Sequence, residues 1–328
     1  MSVHNGAETL ARALRSTLAD MGETDELIVM DDASDDATRD ILAGWDDRRL
    51  FTFRNDRRLG LTASLNRAFA KSSGAFIGRM DADDETLPGR FENQIGRLQA
   101  SGADISLGSY WLVGADGNET LWEPPHWALI RWRSLSFNRF GAHPSAVMTR
   151  AAFEQLGGYD ESFPLAQDYD LWDRALAAGL NFRHSKAPLI RYHLGPQALG
   201  AKRQDEQRDA ATRVSDRALK RTFPDIRAEE AAALRWLAGA VDTKPNAEDM
   251  SRMVRQLPDR IQAFSAQLPD PVPARRLIWQ DVSDRVWRRR RDIPDTLTQR
   301  LFKQATLQGG SIKALWRGLR AGQNRSKA

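Results

Sequence analysis

The sequence predicts an α/β fold with a mostly parallel sheet and flanking helices, followed by a helical carboxyl-terminal extension. In the first two hundred residues, short apolar runs alternate with segments whose apolar residues recur at helical spacing. Two of the apolar runs end abruptly in clusters of aspartates, so these strands carry negative charge at their carboxyl ends. Open α/β sheets bind their ligands at that edge. Beyond residue 200, the many Ala, Arg, Glu and Leu residues favour helices.

The elements of the α/β part follow one another with a strand–helix rhythm. Only Met1-Ser2-Val3 precedes the polar His4-Asn5, where an α/β domain usually opens with a full strand. We expect that the true start lies upstream and that most of this strand is missing, and a short first strand is the alternative. The remaining predicted strands cover residues 26–30, 50–53 and 76–80. The predicted helices cover residues 8–20, 38–45 and 61–71, which gives parallel βαβ units.

Composition and length limit the classes of protein that the chain can be. With 328 residues, 41% hydrophobic and 28% charged, the sequence is that of an ordinary globular protein long enough for two domains. We expect a first domain over residues 1–200 and a basic, mainly helical extension over 201–328. The chain has no cysteine, which excludes disulfides and thiolate metal sites. No apolar run reaches the roughly 18 residues of a membrane span, so a cytoplasmic location is expected.

Charge is distributed unevenly between the two parts. Residues 1–200 carry a net charge of −7 and residues 201–328 a net charge of +11. The extension is predicted to form helices at 204–222, 228–240, 247–257 and 258–268. Near the end, Ile312, Leu315 and Trp316 fall on one helical face and basic residues on the other, which suits a peripheral position on an anionic membrane surface at the inner face of the cell membrane. The alternative is a solvated helix that packs on the domain or a partner, and no nucleic-acid motif is present.

Three carboxylates follow the strand predicted at residues 76–80: Asp81, Asp83 and Asp84. Carboxylates this close repel one another unless a cation or a group of donors neutralises them, and the oxygen ligands suit Mg²⁺ or Mn²⁺. An acidic helix cap is the simpler alternative. A calcium-binding EF-hand is excluded, because Thr86 occupies the position that requires glycine. A phosphatase is disfavoured by Glu85, which stands where such enzymes typically have threonine.

Five ordered segments resemble family 2 glycosyltransferases over roughly residues 1–195. They are LIVMDDASDDAT at 27–38, RMDADD at 79–84, AHPSAVM at 142–148, LGGYD at 156–160 and QDYDLW at 167–172. The resemblance implies a GT-A type fold, Rossmann-like, with a mixed and mostly parallel sheet. It also implies inverting transfer of a sugar from a nucleotide-diphosphate sugar. The opening residues 1–6 are similar to the loop that follows the first strand in this family.

The resemblance assigns roles to the donor side of the site. Asp83 matches the direct metal ligand of the D-x-D motif, and Asp81 matches the residue near the ribose and the metal-bound waters. Asp32 matches the position that accepts a hydrogen bond from the base ring, which favours a UDP-sugar. Further substrate contacts are expected at Val3, Arg58 and Asn66. Asp84 is expected to be structural and to bond backbone donors of the following turn.

On the acceptor side, Asp168 matches the catalytic base of the family. A carboxylate there would take the proton of the attacking hydroxyl. The preceding residue departs from the family pattern, being Gln167 instead of glutamate, and the alternative for Asp168 is a helix cap. His143 is expected either to contact the sugar or acceptor, or to pack under the turn at Pro144.

These observations together predict a metal-dependent glycosyltransferase that uses Mn²⁺ or Mg²⁺. The expected partners are a nucleotide-sugar donor and a saccharide or lipid-linked acceptor, in the synthesis of a cell-envelope polysaccharide or glycolipid precursor. A catalytically silent module that binds a nucleotide-sugar or an anionic surface is the alternative. The short first strand and Gln167 are the features that support this alternative.

Overall fold

The computed structural model describes residues 1–194 and 201–307. The basic amphipathic helix predicted around Trp316 therefore lies outside the described residues. By their contacts the described residues form two units: the first is Met1–Pro124 with Phe140–Ala211, and the second is Pro125–Arg139 with the residues from Thr212 onward. The domain boundary predicted after residue 200 stays a prediction. The grouping of residues 125–139 with the second unit is a feature that the sequence pattern did not indicate.

All strands among the described residues belong to the first unit. They are β1 (Ser2–Val3), β2 (Leu27–Asp31), β3 (Leu50–Arg54), β4 (Phe76–Gly78), β5 (Glu85–Thr86), β6 (Ile105–Val113), β7 (Glu119–Trp122), β8 (Val147–Thr149) and β9 (Phe182–His193).

The strands β1, β2 and β3 form a parallel sheet in that order. Every residue of β2 is buried, because this central strand has the continuous apolar run of a strand covered on both faces. Ser2 lies opposite Met30, and Leu27 lies opposite Leu50. The register brings the ends of β1 and β2 to the same edge, where Asp32 follows β2 directly.

The other strands form a second, mixed sheet in the order β4-β8-β6-β9-β5, with β7 paired to β6. The pair β6–β9 is parallel, and the other pairs in this sheet are antiparallel. The strand β4 was expected to continue the parallel sheet, but it pairs with β8 instead. With only three residues, β4 has little local preference for a partner, so distant packing decides where it pairs. The mixed α/β class is confirmed.

Helices cover both sheets of the first unit. They are α1 (Leu10–Asp20), α2 (Thr38–Ala43), α3 (Leu61–Ala70), α4 (Arg90–Ser101), α6 (Arg150–Gln155) and α7 (Gln167–Ala177). In α1 the buried residues Leu10, Leu14 and Leu18 recur every four positions and join a core with Val29 of β2.

The second unit is helical. It contains α5 (Trp127–Arg133), α9 (Ala228–Ala238), α10 (Ala247–Ser265), α11 (Pro271–Arg288) and α12 (Asp295–Leu307), and the boundary between the units falls within α8 (Ala201–Thr222). Trp236 and Trp279 are among its largest fully buried side chains. The helix break predicted at Pro258 is wrong, because α10 continues through it. Leu257 and Ile261 are buried on either side of the proline, and this packing outweighs the lost backbone donor.

Four consecutive arginines, residues 288–291, stand at the end of α11, and two of them lie over tryptophan rings. The guanidinium of Arg289 lies 4.5 Å from the ring centre of Trp236, and that of Arg290 lies 4.1 Å from the ring centre of Trp287. Arg288 and Arg291 are exposed. Across residues 1–194 and 201–307, no helix combines the length and the apolar content that a membrane crossing requires.

Candidate active site

The three aspartates that follow β4 form an acidic cluster. One carboxylate oxygen each of Asp81, Asp83 and Asp84 lies within 4.8 Å of the others. Asp84 is fully buried, Asp81 is half-buried and Asp83 is exposed. The loop thus turns one carboxylate into the protein and leaves another accessible to a ligand. This is a set of hard oxygen donors of the kind that divalent cations prefer.

Asp84 has two oxygens in different situations. Its Oδ1 accepts a hydrogen bond of 2.8 Å from the backbone N–H of His193 at the end of β9. Its Oδ2 is buried and has no hydrogen-bond partner among the described residues. Burial and the neighbouring charge of Asp81 raise the pKa of Asp84 to about 8. The expected structural role holds for one oxygen, although the donor comes from β9 instead of the following turn. The other oxygen fits a cation.

Arginines surround the acidic cluster. The buried guanidinium of Arg79 pairs with Asp81, and Arg12 of α1 donates from Nη2 to the backbone oxygen of Asp83 at 2.7 Å. The Nε of Arg12 also lies 3.4 Å from Glu85, which receives a 2.8 Å contact from Nε2 of His193. The loss of solvent around its carboxyl group and the charge of Asp81 raise the pKa of Asp83, although the residue as a whole is exposed. These contacts fix the backbone that carries the carboxylates.

Tyr192 lies near both the acidic cluster and the predicted base, Asp168. Burial raises the pKa of its phenol, and the charges of Asp81, Asp84, Asp83 and Asp168 act in the same direction. All four carboxylates therefore lie near one side chain. Asp168 is the second residue of α7, is half-buried, and accepts a hydrogen bond of 2.8 Å from the backbone N–H of Tyr169. Its position inside the helix differs from that of a conventional N-cap residue.

His143 is buried in the 3-10 turn His143–Ser145. Its Nε2 lies 2.8 Å from the hydroxyl of Tyr159, and its ring meets that of Trp172 edge-on at 6.0 Å. Burial, together with the charge of Arg79, lowers its pKa well below the usual value, so the imidazole is neutral. The geometry matches the packing alternative for His143, while contact with a sugar stays a prediction.

Asp32 holds the loop that follows β3. Its Oδ1 accepts hydrogen bonds from the side chain of Asn55 at 2.8 Å and the N–H of Leu59 at 2.7 Å, and its Oδ2 accepts one from Gly60 at 2.8 Å. Burial alone would raise the pKa of Asp32, but these hydrogen bonds outweigh burial and lower it. The contact with a nucleotide base stays a prediction, and Oδ2, with one hydrogen bond from Gly60, keeps the lone-pair capacity to accept a second.

We expect Asp32→Ala to destabilise the first unit by about 3 kcal/mol, because three donors lose a charged acceptor. Denaturant unfolding followed by circular dichroism measures this loss. Asp36→Ala is the matched control, because Asp36 is exposed and accepts from the N–H groups of Ala7 and Thr38 in the same region. The control should cost only about 1 kcal/mol. Equal losses in the two variants would contradict the role assigned to Asp32.

The other residues predicted to contact the nucleotide-sugar differ in burial and in hydrogen bonding. Val3 is buried in the core, and its carbonyl oxygen accepts from the N–H of Asp32 at 2.8 Å. Asn66 of α3 bonds both the N–H and the carbonyl oxygen of Tyr159 at 2.9 Å, so it fastens the LGGYD segment to α3. Arg58 is exposed. Their roles in substrate binding stay predictions.

Several residues of this site were missing from the sequence-based set. The contacts of Arg12, Glu85 and His193 join residues more than seventy positions apart, and no local pattern indicates them. Tyr159 is different. It stands inside the LGGYD segment that the family resemblance had already drawn attention to, so a polar aromatic in such a segment is a usable signal. Tyr192 lies twenty residues beyond the last of these segments, and they do not indicate it.

Several known proteins are similar to this chain in sequence. Residues 1–157 match the family model described as glycosyl transferase family 2. The chain is 30% identical over 191 residues to the succinoglycan biosynthesis protein ExoO of Rhizobium meliloti, which covers 55% of each protein. It is also 30% identical over 190 residues to the putative glycosyltransferase EpsE of Bacillus subtilis, covering 55% of this chain and 66% of that one. The chain thus spans little more than half the length of the first of these relatives.

Solved structures show the same fold. The S. aureus TarS 1–349 structure in complex with UDP superposes with a TM-score of 0.56 at 15% identity, covering 94% of this chain and 86% of that one. A second structure of the same protein, in complex with UDP-GlcNAc, gives a TM-score of 0.57. These similarities confirm the GT-A type fold.

Proposed function

Because this chain belongs to glycosyl transferase family 2, we propose that it is an inverting glycosyltransferase. It would move a sugar from a nucleotide-diphosphate sugar to a hydroxyl of a polysaccharide or glycolipid precursor. The observation that carries this proposal is the buried, unpaired Oδ2 of Asp84 in a cluster with Asp81 and Asp83. Such an oxygen is costly to keep without a partner, and a donor-bound cation would be that partner.

Asp81 and Asp83 are the proposed metal ligands, and the buried Asp84 completes the set. A bound Mn²⁺ or Mg²⁺ would neutralise the charge that develops on the leaving pyrophosphate. Arg79, buried against Asp81, holds that carboxylate in place. It also offsets part of the negative charge of the cluster.

Asp168 is the proposed base. As the acceptor oxygen bonds to the anomeric carbon, the bond from that carbon to the pyrophosphate breaks on the opposite face. The hydroxyl proton passes to the carboxylate of Asp168, and the nucleotide diphosphate leaves with the electron pair of the broken bond. The backbone N–H of Tyr169 donates to Oδ1 of this carboxylate at 2.8 Å and helps to orient it at the start of α7.

The donor is proposed to be a UDP-sugar. TarS, which shares the fold, was solved with UDP and with UDP-GlcNAc. Asp32, at the edge of the parallel sheet, supplies an acceptor for a base N–H. The name of the succinoglycan biosynthesis protein ExoO supports a saccharide acceptor.

Calorimetric titration with UDP, GDP and TDP, each with and without Mn²⁺, tests the proposal. We expect UDP to bind tightest and only weakly without the metal. A hydrolysis assay with several UDP-sugars then follows slow release of the sugar to water. Tight binding without turnover of any donor would favour the catalytically silent module, and no binding of any nucleotide would refute both functions.

A further inference from the structure

Arg90, the first residue of α4, is a cation buried beneath the candidate site, with 1% of its surface exposed. Its Nη2 donates to the backbone oxygen of Arg79 at 2.7 Å and to that of Pro144 at 2.6 Å. Its Nε donates to the side-chain oxygen of Gln94 at 3.1 Å. One guanidinium therefore joins the chain that leads into the acidic cluster to the turn that contains His143.

The two carbonyl groups lie just beyond the paired ends of β4 and β8, where the two chains separate. The pairing of β4 with β8 ends at Gly78 opposite Val147, followed by one backbone hydrogen bond from Arg79 to Ala146. Beyond this bond the two chains diverge, one toward Asp81 and the other toward His143. Arg90 lies between them and supplies the next link. A planar fork of donors can span two carbonyls in this way, whereas an ammonium group is a single point.

Stability alone does not account for a charge at this position. Burial lowers the pKa of Arg90 to about 9, and the charge of Arg79 acts in the same direction. A buried cation bonded mainly to neutral carbonyls is often no more stabilising than an apolar residue of the same size. What the guanidinium provides here is geometry. It fixes the distance between two backbone segments that both border the site.

We propose that Arg90 is a positioning residue that holds the acidic cluster in register with the turn His143–Ser145. The inference rests on the proposed function, in which Asp81, Asp83 and Asp84 hold a cation. The spacing of these carboxylates is then set by the bond of Arg90 to the Arg79 carbonyl. The residue does not touch the substrate.

Arg150, near the other end of strand β4, offers a matched control. Arg150 donates from Nε to the backbone oxygen of Gly74 at 2.7 Å and from Nη2 to the hydroxyl of Ser72 at 2.9 Å, just before β4 begins. Both arginines thus fasten chain next to β4, one before Phe76 and the other after Gly78. Only Arg90 is at the end that carries the aspartates.

The experiment compares Arg90→Lys and Arg150→Lys with the parent protein by hydrogen–deuterium exchange and mass spectrometry. We expect Arg90→Lys to speed amide exchange by about tenfold in both peptides 80–86 and 143–148. Arg150→Lys should speed exchange only in residues 70–77. Exchange in peptide 80–86 that stays at the parent rate in Arg90→Lys would overturn the proposal.

Binding of Mn²⁺ alone, followed by electron paramagnetic resonance, provides the second readout. Arg90→Lys should raise the dissociation constant by about tenfold, and Arg150→Lys by less than about twofold, because small displacements of ligands weaken a site strongly. Equal affinities in the two variants would overturn the proposal. If the parent protein itself binds no Mn²⁺, the metal part of the proposed function fails, and the exchange result alone decides the role of Arg90.

A second variant covers the case in which Arg90→Lys does not fold. Gln94→Ala leaves the guanidinium in place but removes its Nε partner and the bond from Gln94 to the backbone oxygen of Ser145 at 2.9 Å. We expect about threefold faster exchange in peptide 143–148 and a smaller change in peptide 80–86. Parent rates in both peptides would contradict the proposal.

Discussion

Asp168→Asn is expected to lower the rate of sugar transfer by about 10²–10⁴-fold, the range that a general base contributes. An amide cannot accept the proton of the attacking hydroxyl. Binding of the donor should change by less than about twofold, because the carboxylate is proposed to act on the acceptor. Single-turnover kinetics with a saturating donor, together with calorimetric titration of UDP and Mn²⁺, measure the two quantities separately.

Asp170→Asn is the matched control for this variant. It places the same substitution two residues further along α7, where Asp170 is fully buried and pairs with Arg174 at 2.8 Å. Removing this charge leaves Arg174 without its buried partner, so the control should lose about 3 kcal/mol of stability and keep its turnover when folded. Asp168→Asn should instead melt close to the parent. Transfer by Asp168→Asn within tenfold of the parent rate would remove Asp168 from the role of base.

The local elements were predictable because their patterns are strong. The strand predicted at 26–30 is observed as β2, and the helix predicted at 61–71 is observed as α3. In α3 the apolar residues recur at helical spacing, and in β2 a short continuous apolar run is bounded by acidic residues, which is typical of a buried strand. The same holds for α1, whose leucines recur at helical spacing. Boundaries differ by one or two residues, as expected at the ends of elements.

The partners of these elements were not predictable from periodicity. The strand β4 pairs with β8, about seventy residues further along the chain, and α5 groups with helices that follow it by about ninety residues. The continuous helix α10 shows that packing can also override a strong local signal. Pro258 is a strong local signal for a break, yet packing of the flanking apolar residues keeps the helix intact.

The candidate site also has features that the sequence predicted and features that it did not. The sequence predicted the acidic cluster, since three aspartates in four residues are visible as a pattern. It did not predict that Asp32 would be bonded to the loop after β3, or that Asp84 would keep one oxygen free while His193 occupies the other. Those distinctions depend on donors from distant strands and loops. Residue type and spacing therefore indicate which chemistry is possible, and the fold decides which oxygen is available for it.

Asp84→Asn is expected to weaken Mn²⁺ binding by at least about tenfold at pH 8, and to remove the contribution of Asp84 to the pH dependence of that binding. The carboxyl group of Asp84 has a pKa of about 8 in the metal-free protein, because it is buried beside Asp81. At pH 7 it therefore carries a proton, which a cation must displace. For the parent protein, the Mn²⁺ dissociation constant should fall as pH rises and level off above about 8.

The raised pKa of Asp84 also determines whether the free energy of unfolding rises or falls with pH. The folded-state pKa lies above the ordinary aspartate value, so between about pH 4 and pH 8 the folded protein keeps a proton that the unfolded chain has released. The metal-free parent should therefore become less stable as pH rises through that window. Asp84→Asn removes this slope and should melt at a higher temperature than the parent at pH 8. Loss of metal binding would thus accompany a gain in stability.

Calorimetry in two buffers of different ionisation enthalpy measures the displaced proton directly, and thermal unfolding from pH 5 to pH 8 measures the slope. Asp116→Asn is the control, because Asp116 is exposed and accepts from Asn118 in a surface turn. It should alter neither result. Binding of Mn²⁺ to the parent at pH 7 without release of a proton would show that Asp84 is ionised before the metal arrives. Displacement of a proton from Asp84 would then have no part in metal binding, and the pH dependence expected here would be contradicted.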